Sequence, residues 1–320
     1  MRIVRAVLTV AAFGLVTSAA ALADDFPSKE VKIIVNYGAG GAVDRTARSM
    51  QRFLPEALGQ SVVVENVRGA GGKIGITKFM KAKRDGYTIL TSFAPSTTYV
   101  ATTAPDIYKF DDLAVINLQW VDPAVLLVHQ KTGWKTLDDV IAAIRANPGK
   151  YTFASSGNTS VGHVLAMDLF KKLKLDVKIV PYKGGGKTRA AFIGGETDMT
   201  AAGIQGALKT KAVAIPVALF ADSASDVWPE APPVNSLLAK EGITAEIGGA
   251  YRFHAVHADV KRNHPERFKK LVDAFKTTTA ENPDFLAFAK NTATGKAWLG
   301  PDASTDALRT VETRFSKLFK

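Results

Sequence analysis

Two stretches of the sequence combine glycine, small hydroxyl side chains and helix-start signals, and both have the chemistry to bind an anion. The first is VNYGAGGAVDRTAR at Val35–Arg48, where a β-branched run ends in a glycine cluster. The second is FASSGNTSVGHVLAMDLF at Phe153–Phe170, with the same order of strand, small-residue loop and helix. The first amides of a helix have no intrahelical acceptor, so two such loops facing each other would bind an anion from both sides.

Neither glycine cluster completes a nucleotide-binding motif. In the dinucleotide fingerprint GxGxxG, Gly38 and Gly40 fit, but the third position is Val43. The run GGGKT at Gly184–Thr188 resembles the end of a Walker A loop. The glycine required five residues before its last glycine is Pro181, which has no N–H to donate. We therefore predict no nucleotide and no other cofactor.

The second loop raises the alternative of serine chemistry. Ser160 and His163 stand three residues apart at a helix start, where a nucleophile and a base would be neighbours. No GxSxG elbow surrounds Ser160, because Asn158 and Gly162 flank it at two residues. We interpret the hydroxyls as helix caps and ligand donors. A hydrolase or transferase stays an alternative.

Metal-ligating and charged residues give weaker signals. The sequence has no cysteine, and His254 and His257 would face opposite sides of a strand, so we predict no metal site. Asp44, in the first turn of a predicted helix, either caps free amides or contacts a polar group of the ligand. Arg252 either lies on the surface or binds a distal carboxylate.

Length, charge and the first residues place the chain in a broad class. It has 320 residues and a net charge of +11, with lysines and arginines spread along the chain, so we expect no nucleic-acid binding. Arg2 and Arg5, an apolar run at Ala6–Val16 and the small residues that follow match a secretion signal. We predict a signal peptide over residues 1–23, cleaved after Ala23, and a periplasmic monomer.

Strand-like and helix-like segments alternate along the rest of the chain, which predicts an α/β fold with mostly parallel sheets. Pro55 is expected to end or kink the first helix one turn early, and Thr136 is expected to cap another. The C-terminal part from His264 reads as helical, with breaks at Asn282 and Gly300. The predicted strands are 32–35, 61–66, 87–92, 124–129, 151–156, 177–182 and 212–220.

Taken in order, these segments resemble one family. The runs FPSKEVKIIVNYGAGGAVDRTAR, EALGQSVVVENVRGAGGKIG and DGYTIL, followed by YTFASSGNTSVGH and VPYKGGGKTRAAFIGGETDM, are similar to the Bug family. These are TctC-like extracytoplasmic receptors of tripartite tricarboxylate transporters. The resemblance runs from about Phe26 to the C-terminus. It implies a two-lobed, type II-like periplasmic binding protein, with a mostly parallel sheet flanked by helices in each lobe.

The resemblance also implies which residues contact the ligand, usually a carboxylate. In that family, strand–loop–helix units of both lobes bind it through backbone amides, hydroxyls and ordered water. The run YRFHAVHADV at Tyr251–Val260 departs from the family's apolar strand and leaves ligand identity open. The matching site positions here are Tyr37, Ala39, Gly40, Gly41, Asp44, Ser155, Ser156, Gly157, Asn158, Thr159, Ser160, His163, Tyr182, Lys183 and Gly184.

Residues and resemblance together predict a non-enzymatic receptor. It would capture a small organic acid by hinge closure and deliver it to integral-membrane permease subunits. A ligand-sensing receptor for a signalling partner stays a further alternative. We predict lobe 1 over residues 24–122 and 221–320 and lobe 2 over 123–220. The crossovers are expected near Val121–Ala124 and Phe220–Ser223.

Overall fold

The computed structural model describes residues 25–292 and 294–319, and the predicted signal peptide at residues 1–23 lies outside them. The strands of the described part are β1 (Val31–Val35), β2 (Val62–Asn66), β3 (Thr88–Ala94), β4 (Leu113–His129), β5 (Thr152–Ser155), β6 (Lys178–Pro181), β7 (Met199–Gly203), β8 (Ala214–Leu219) and β9 (Gly249–His257). Its α-helices are α1 (Ala42–Leu58), α2 (Lys73–Met80), α3 (Ser96–Thr103), α4 (Leu137–Ala146), α5 (Val161–Lys172), α6 (Gly185–Ile193), α7 (Ile204–Ala207), α8 (Val234–Leu238), α9 (Ala258–Asn263), α10 (Pro265–Lys276), α11 (Pro283–Thr292) and α12 (Pro301–Ser316). None of the helices in these residues has both the length and the apolar character to cross a bilayer.

The strands form two sheets that share the long strand β4. In the first sheet, β1 pairs in parallel with β2 and β3, and β9 lies antiparallel between β3 and the first part of β4. In the second sheet, the last part of β4 is antiparallel to β7 and β8, and β5 is parallel to β6 and β7. We call the first sheet with its helices lobe 1 and the second lobe 2. The predicted two-lobed α/β fold is confirmed.

Both sheets are mixed, which corrects the prediction of mostly parallel sheets. The strand–helix–strand units do form parallel pairs, as their alternation predicted. The antiparallel pairs come from the strands that carry the chain between the lobes. Because β4 runs through both sheets as one continuous strand, it meets β9 in lobe 1 and β7 and β8 in lobe 2 in the opposite direction.

The chain passes from lobe 1 to lobe 2 within β4, where pairing with β9 ends at Pro123 and pairing with β7 begins at Ala124. Phe220 donates its N–H to the Ala124 carbonyl at 2.9 Å, and Gly248 donates to the Phe220 carbonyl at 2.8 Å. Between these points, residues near α8 contact lobe 2; for example, the Glu246 N–H donates to Asp168 at 2.9 Å. The lobe boundaries stay predictions, and these contacts favour a return to lobe 1 near Gly248 rather than at residue 221.

Helix α1 continues through Pro55 to Leu58, so the predicted early end is wrong. Its apolar face, with Met50 and Leu54, is buried against the lobe 1 sheet as the periodicity predicted. Pro55 lies in the last turn, where its φ suits a helix and its missing N–H removes a single hydrogen bond. Gly59, with φ 70°, then ends the helix by donating to the Pro55 carbonyl at 2.9 Å.

Other helix ends follow their local sequence. Thr136 caps α4 by accepting the Asp139 N–H at 3.2 Å, and Asp139 accepts the Thr136 N–H in return at 3.0 Å. The C-terminal helices break at Asn282 and Gly300, the residues that precede α11 and α12. Both predictions are confirmed.

Candidate functional site

Three helices that follow parallel strands of the two lobes begin without a side-chain cap, because two are preceded by a glycine and the third by a serine whose side chain makes no capping hydrogen bond. These are α1 after β1, α5 after β5 and α6 after β6, preceded by Gly41, Ser160 and Gly184. The backbone amides of their first turns have no intrahelical acceptor and carry the positive end of the helix dipole. Each of the two predicted loops therefore ends in a helix start that suits an anion.

The lobe 1 loop, residues 36–41, is shaped by the carboxylate of Asp44. This residue is 2% exposed and accepts hydrogen bonds from the Gly40 N–H at 2.8 Å and from Asn66 Nδ2 at 3.0 Å. Arg48 Nε lies 3.0 Å from the same carboxylate. Because all its partners belong to lobe 1, Asp44 braces the loop, which favours the capping alternative over ligand contact. The exposed residues of the loop are Ala39, Gly40 and Gly41.

The lobe 2 loop, residues 156–160, is braced by neutral groups. Ser155 Oγ lies 2.9 Å from His163 Nδ1 and accepts the Gly157 N–H at 3.2 Å. Burial lowers the pKa of His163, which keeps its ring neutral near pH 7. Ser160 Oγ is buried and has no hydrogen-bond partner among the described residues. His163 thus pairs with Ser155, and the Ser160–His163 pair of the hydrolase alternative is not formed.

The remaining predicted residues of lobe 2 lie around this loop. The Tyr182 N–H donates to the Ser155 carbonyl at 2.8 Å, whereas the Tyr182 hydroxyl donates to Glu196 at 3.1 Å and is already engaged. Ser156 lines a small cavity of about 40 Å³ together with Arg189 of α6. The exposed residues are Asn158, Lys183 and Gly184.

The two loops touch across the lobes. Tyr37 Oη lies 2.5 Å from Thr159 Oγ1, and both hydroxyls lie 3.3 Å from the Gly71 carbonyl. A Cβ on Gly71, where φ is +64°, would come within 2.9 Å of the Thr159 methyl group, so a glycine is needed at this contact. Burial raises the pKa of Tyr37, so its phenol stays protonated and able to donate.

Sequence reasoning missed a polar network below the lobe 1 loop. Asn36 Nδ2 donates to Ser96 Oγ at 3.1 Å and its Oδ1 accepts from Ser92 at 2.9 Å, while Ser96 donates to the Gly71 carbonyl at 2.9 Å. One signal was available, because Asn36 and Asn66 are polar residues at the carboxyl ends of the adjacent apolar strands β1 and β2.

The point where β4 crosses between the lobes holds a buried ion pair. Arg252 is 5% exposed and Asp122 is 2% exposed, with Arg252 Nη2 donating to Asp122 Oδ2 at 3.3 Å. Asp122 also accepts the Gln205 N–H of lobe 2 at 3.1 Å. The surface alternative for Arg252 is therefore wrong. Asp122 was not among the predicted site residues, because a lone aspartate beside Pro123 gives no local signal.

The histidines of β9 are engaged inside lobe 1. His254 lies 2.8 Å from Thr91 Oγ1 and 2.6 Å from Gln119 Oε1, and His257 lies 3.0 Å from the Phe79 carbonyl. Burial lowers the pKa of His254 to about 3. Within residues 25–292 and 294–319, no group of three or more histidine, cysteine, aspartate or glutamate side chains is placed to hold a metal ion.

Sequence comparisons assign a family. A family model described as the tripartite tricarboxylate transporter family receptor matches residues 46–298. BugT of Bordetella pertussis is 36% identical over 177 residues, which are 54% of this chain and 54% of BugT, so the match spans about half of that relative. A Pseudomonas sp. (strain P51) protein described as the UPF0065 protein in the tcbD-tcbE intergenic region is 28% identical over 323 residues, 98% of this chain and 93% of the relative.

Solved structures show the same fold. Periplasmic binding protein BugD has a TM-score of 0.75 at 22% identity, covering 92% of this chain and 97% of BugD. MatC from Rhodopseudomonas palustris, solved with bound malate, has a TM-score of 0.77 at 20% identity, covering 92% of this chain and all of MatC (100%). With the family model matching most of its length, the chain belongs to the tripartite tricarboxylate transporter receptors, the solute-binding family of the Bug proteins.

Proposed function

We propose that the protein is a periplasmic receptor that binds a small organic carboxylate between its lobes and delivers it to membrane permease subunits. The observation that carries this proposal is the set of uncapped helix starts at α1, α5 and α6, together with the contact of Tyr37 and Thr159 between the loops before α1 and α5. Free amides at helix starts bind a carboxylate through hydrogen bonds and the helix dipole. MatC, solved with bound malate, supports a carboxylate ligand, and the family supports delivery to a permease.

Hinge closure follows from the position of these donors in both lobes. A ligand that contacts both lobes binds the closed arrangement more tightly than the open one, so binding shifts the population toward closure. The crossing at Ala124 and Phe220 supplies a short, hydrogen-bonded hinge. The periplasmic location rests on the family and on the predicted signal peptide.

Lobe 2 supplies the donor that best distinguishes binding from catalysis. Ser160 Oγ is buried without a partner among the described residues and precedes the free amides of α5. A ligand carboxylate would accept from this hydroxyl and from those amides together. His163 is occupied by Ser155, so this histidine is not positioned to activate Ser160.

Thermal-shift assays with mono-, di- and tricarboxylates test the ligand class directly. We expect at least one carboxylate to raise the melting temperature, because binding to the folded state stabilises it. Native mass spectrometry of the purified protein would identify a co-purified acid. Neutral sugars and nucleotides are the controls, and a shift with either of them but with no carboxylate would contradict the proposal.

The variant Ser160→Ala tests the site. We expect about tenfold weaker carboxylate binding in titration calorimetry, because a hydrogen bond to a charged group is lost. Stability should be unchanged, since Ser160 Oγ has no partner within the described part of the chain. Ser236→Ala, on the exposed side of α8, is the matched control. Wild-type affinity in Ser160→Ala would contradict the site, and turnover abolished in a variant that still binds would instead favour the hydrolase alternative.

A further inference from the structure

Arg252 has hydrogen-bonding capacity that the described part of the chain does not use. Its Nη2 donates to Asp122, whereas Nε and Nη1 have no hydrogen-bond partner among the described residues, although the side chain is almost fully buried. The guanidinium Cζ lies 4.0 Å from the centroid of the Trp120 ring, which holds the group in place by a cation–π contact. Buried polar groups in folded proteins are nearly always paired, so each exception calls for an explanation, such as a functional role or a bound water or ion.

The strand register places Arg252 next to the candidate site. Phe93 of β3 and Trp120 of β4 are the direct cross-strand partners of Arg252, so the three side chains share one face of the lobe 1 sheet. The ring of Tyr37 packs edge-on against Phe93, with 5.1 Å between the ring centroids. A single side chain therefore separates Arg252 from Tyr37, which joins the two loops.

Arg252 has one buried carboxylate partner and one like charge nearby. Burial lowers the pKa of Arg252, while the charge of Asp122 raises it and the charge of Arg45 of α1 lowers it. Burial also lowers the pKa of Arg45, which interacts with Arg189 of α6 and with the carboxylates of Asp122 and Asp44. Arg252 and Arg45 therefore share the carboxylate of Asp122.

We propose that Arg252 binds a second carboxylate of the ligand, so that the protein selects dicarboxylates over monocarboxylates of the same chain length. This inference rests on the proposed function, in which the helix starts bind the first carboxylate. One of the unused donors, Nε–H or Nη1–H, donates to the second carboxylate; the two point to different sides of the guanidinium, so the carboxylate accepts from one of them. Asp122 and Trp120 are positioning residues that orient the guanidinium.

Asp122 connects the proposed carboxylate site at Arg252 to the closure of the two lobes. Its carboxylate accepts from Arg252 of lobe 1 and from the Gln205 N–H of lobe 2, and Gly203 lets it approach because a Cβ there would lie 2.2 Å from Asp122 Oδ2. A carboxylate bound at Arg252 therefore acts at the point where the chain crosses between the lobes.

Titration calorimetry with matched acids tests the inference. The probes are succinate, glutarate and adipate, each compared with the monocarboxylate of equal carbon number: butyrate, pentanoate and hexanoate. We expect at least one dicarboxylate to bind about tenfold or more tightly than its partner, as one charge-assisted contact allows.

Two variants assign that preference to Arg252. The double variant Arg252→Gln/Asp122→Asn removes both charges, so no unpaired buried charge remains. We expect its preference for the dicarboxylate to fall below about threefold, because the dicarboxylate loses the contact to its second carboxylate, whereas any effect of Asp122 on closure weakens both acids alike. Arg252→Lys keeps the charge but loses the planar fork, and we expect an intermediate preference. Arg309→Gln, from an exposed ion pair with Asp111, removes the same charge away from the cleft and is the control.

The outcomes separate the two proposals. Wild-type protein that binds both acid series equally well would overturn the role of Arg252 and leave the proposed function standing. A preference that survives in both Arg252 variants would also overturn it. Circular dichroism and thermal unfolding report whether the variants fold, and Arg252→Lys alone decides if the double variant does not. If neither acid series nor any other carboxylate binds, the proposed function fails together with the inference.

Discussion

The third residue of α1 and the third residue of α5 both reach back to the loop before their helix. In lobe 1 this residue is Asp44, a buried carboxylate that accepts the Gly40 N–H and is balanced by Arg48. In lobe 2 it is His163, whose neutral ring pairs with Ser155. The lobe 1 loop is therefore held by a negative charge of its own, whereas the lobe 2 loop is neutral. Two loops of similar composition can therefore differ in the charge of the residue that braces them, and the lobe 2 loop repels an anion less than the lobe 1 loop does.

The second residue of each helix differs as well. It is Val43 in α1 and Gly162 in α5. A Cβ on Gly162 would lie 2.0 Å from the Ala201 carbonyl oxygen, so α5 lies against β7 at the closest approach that a glycine allows. This contact brings the start of α5, with Ser160, close to the lobe 2 sheet.

Gly162→Ala should have the largest effect. The added methyl group must displace α5 from β7, and we expect the free energy of unfolding to fall by about 3 kcal/mol or more. Urea denaturation measures the change. Gly185→Ala is the matched control, because a Cβ there meets no atom within 4 Å and its stability should be unchanged or slightly raised. Equal stability of the two variants would show that α5 does not depend on close packing.

Asp44→Asn should follow in size. An amide of the same shape has one acceptor oxygen, so it cannot accept from both the Gly40 N–H and Asn66 Nδ2, which bind different oxygens of Asp44, and it leaves Arg48 without a charged partner. We expect a loss of about 2 kcal/mol in the free energy of unfolding. Carboxylate affinity should weaken too, because the lobe 1 loop loosens. Asp284→Asn, an exposed acid in the first turn of α11, is the control and should change little. Stronger binding in Asp44→Asn would mean that the charge of Asp44 opposes the ligand more than it orders the loop.

The pH dependence of stability extends the comparison to the body of lobe 1. Burial raises the pKa of Glu312, which accepts a hydrogen bond from Thr97 at 3.0 Å, from 4.5 to about 7. Since the folded state binds this proton more tightly, the contribution of Glu312 to stability is fully present below pH 4.5 and is lost as the pH rises through 7. We expect the stability difference between the wild type and Glu312→Gln to change by about 2 kcal/mol in favour of the variant between about pH 5 and pH 8 in urea denaturation. A difference that does not change with pH would contradict the assignment.

His163→Gln should have the smallest effect and the opposite pH dependence. Burial lowers the pKa of His163, so its contribution to stability is lost as the pH falls below 6.5. We expect the variant to lose about 1 kcal/mol at neutral pH, because the contact with Ser155 is lost. The free energy of unfolding of the variant should also fall less than that of the wild type as the pH is lowered. Burial lowers the pKa of His254 in lobe 1 as well, so the variant should still lose some stability in acid. An unchanged acid slope would show that folding does not lower the pKa of His163.

Much of this site could be predicted because its signals are local. A glycine turn before an amphipathic segment at Gly40, and a run of hydroxyls before Val161, indicate helix starts within a few residues. The capping of α4 by Thr136 is equally local. Strand β7, with the sequence MTAAG, was missed because small residues give no strand pattern of their own. Its strand conformation depends on pairing with β4 and β5.

The sequence by itself therefore determined the α/β order, the two loops with free helix-start amides and the family. Tertiary structure alone decided that Tyr37 meets Thr159 across 122 positions, and that Arg252 meets Asp122 across 130. It also decided that Asp44 faces its own loop. The physical reason is that helix starts depend on neighbouring residues, whereas the partners of a buried charge depend on which strands the fold brings together at the crossing between the lobes.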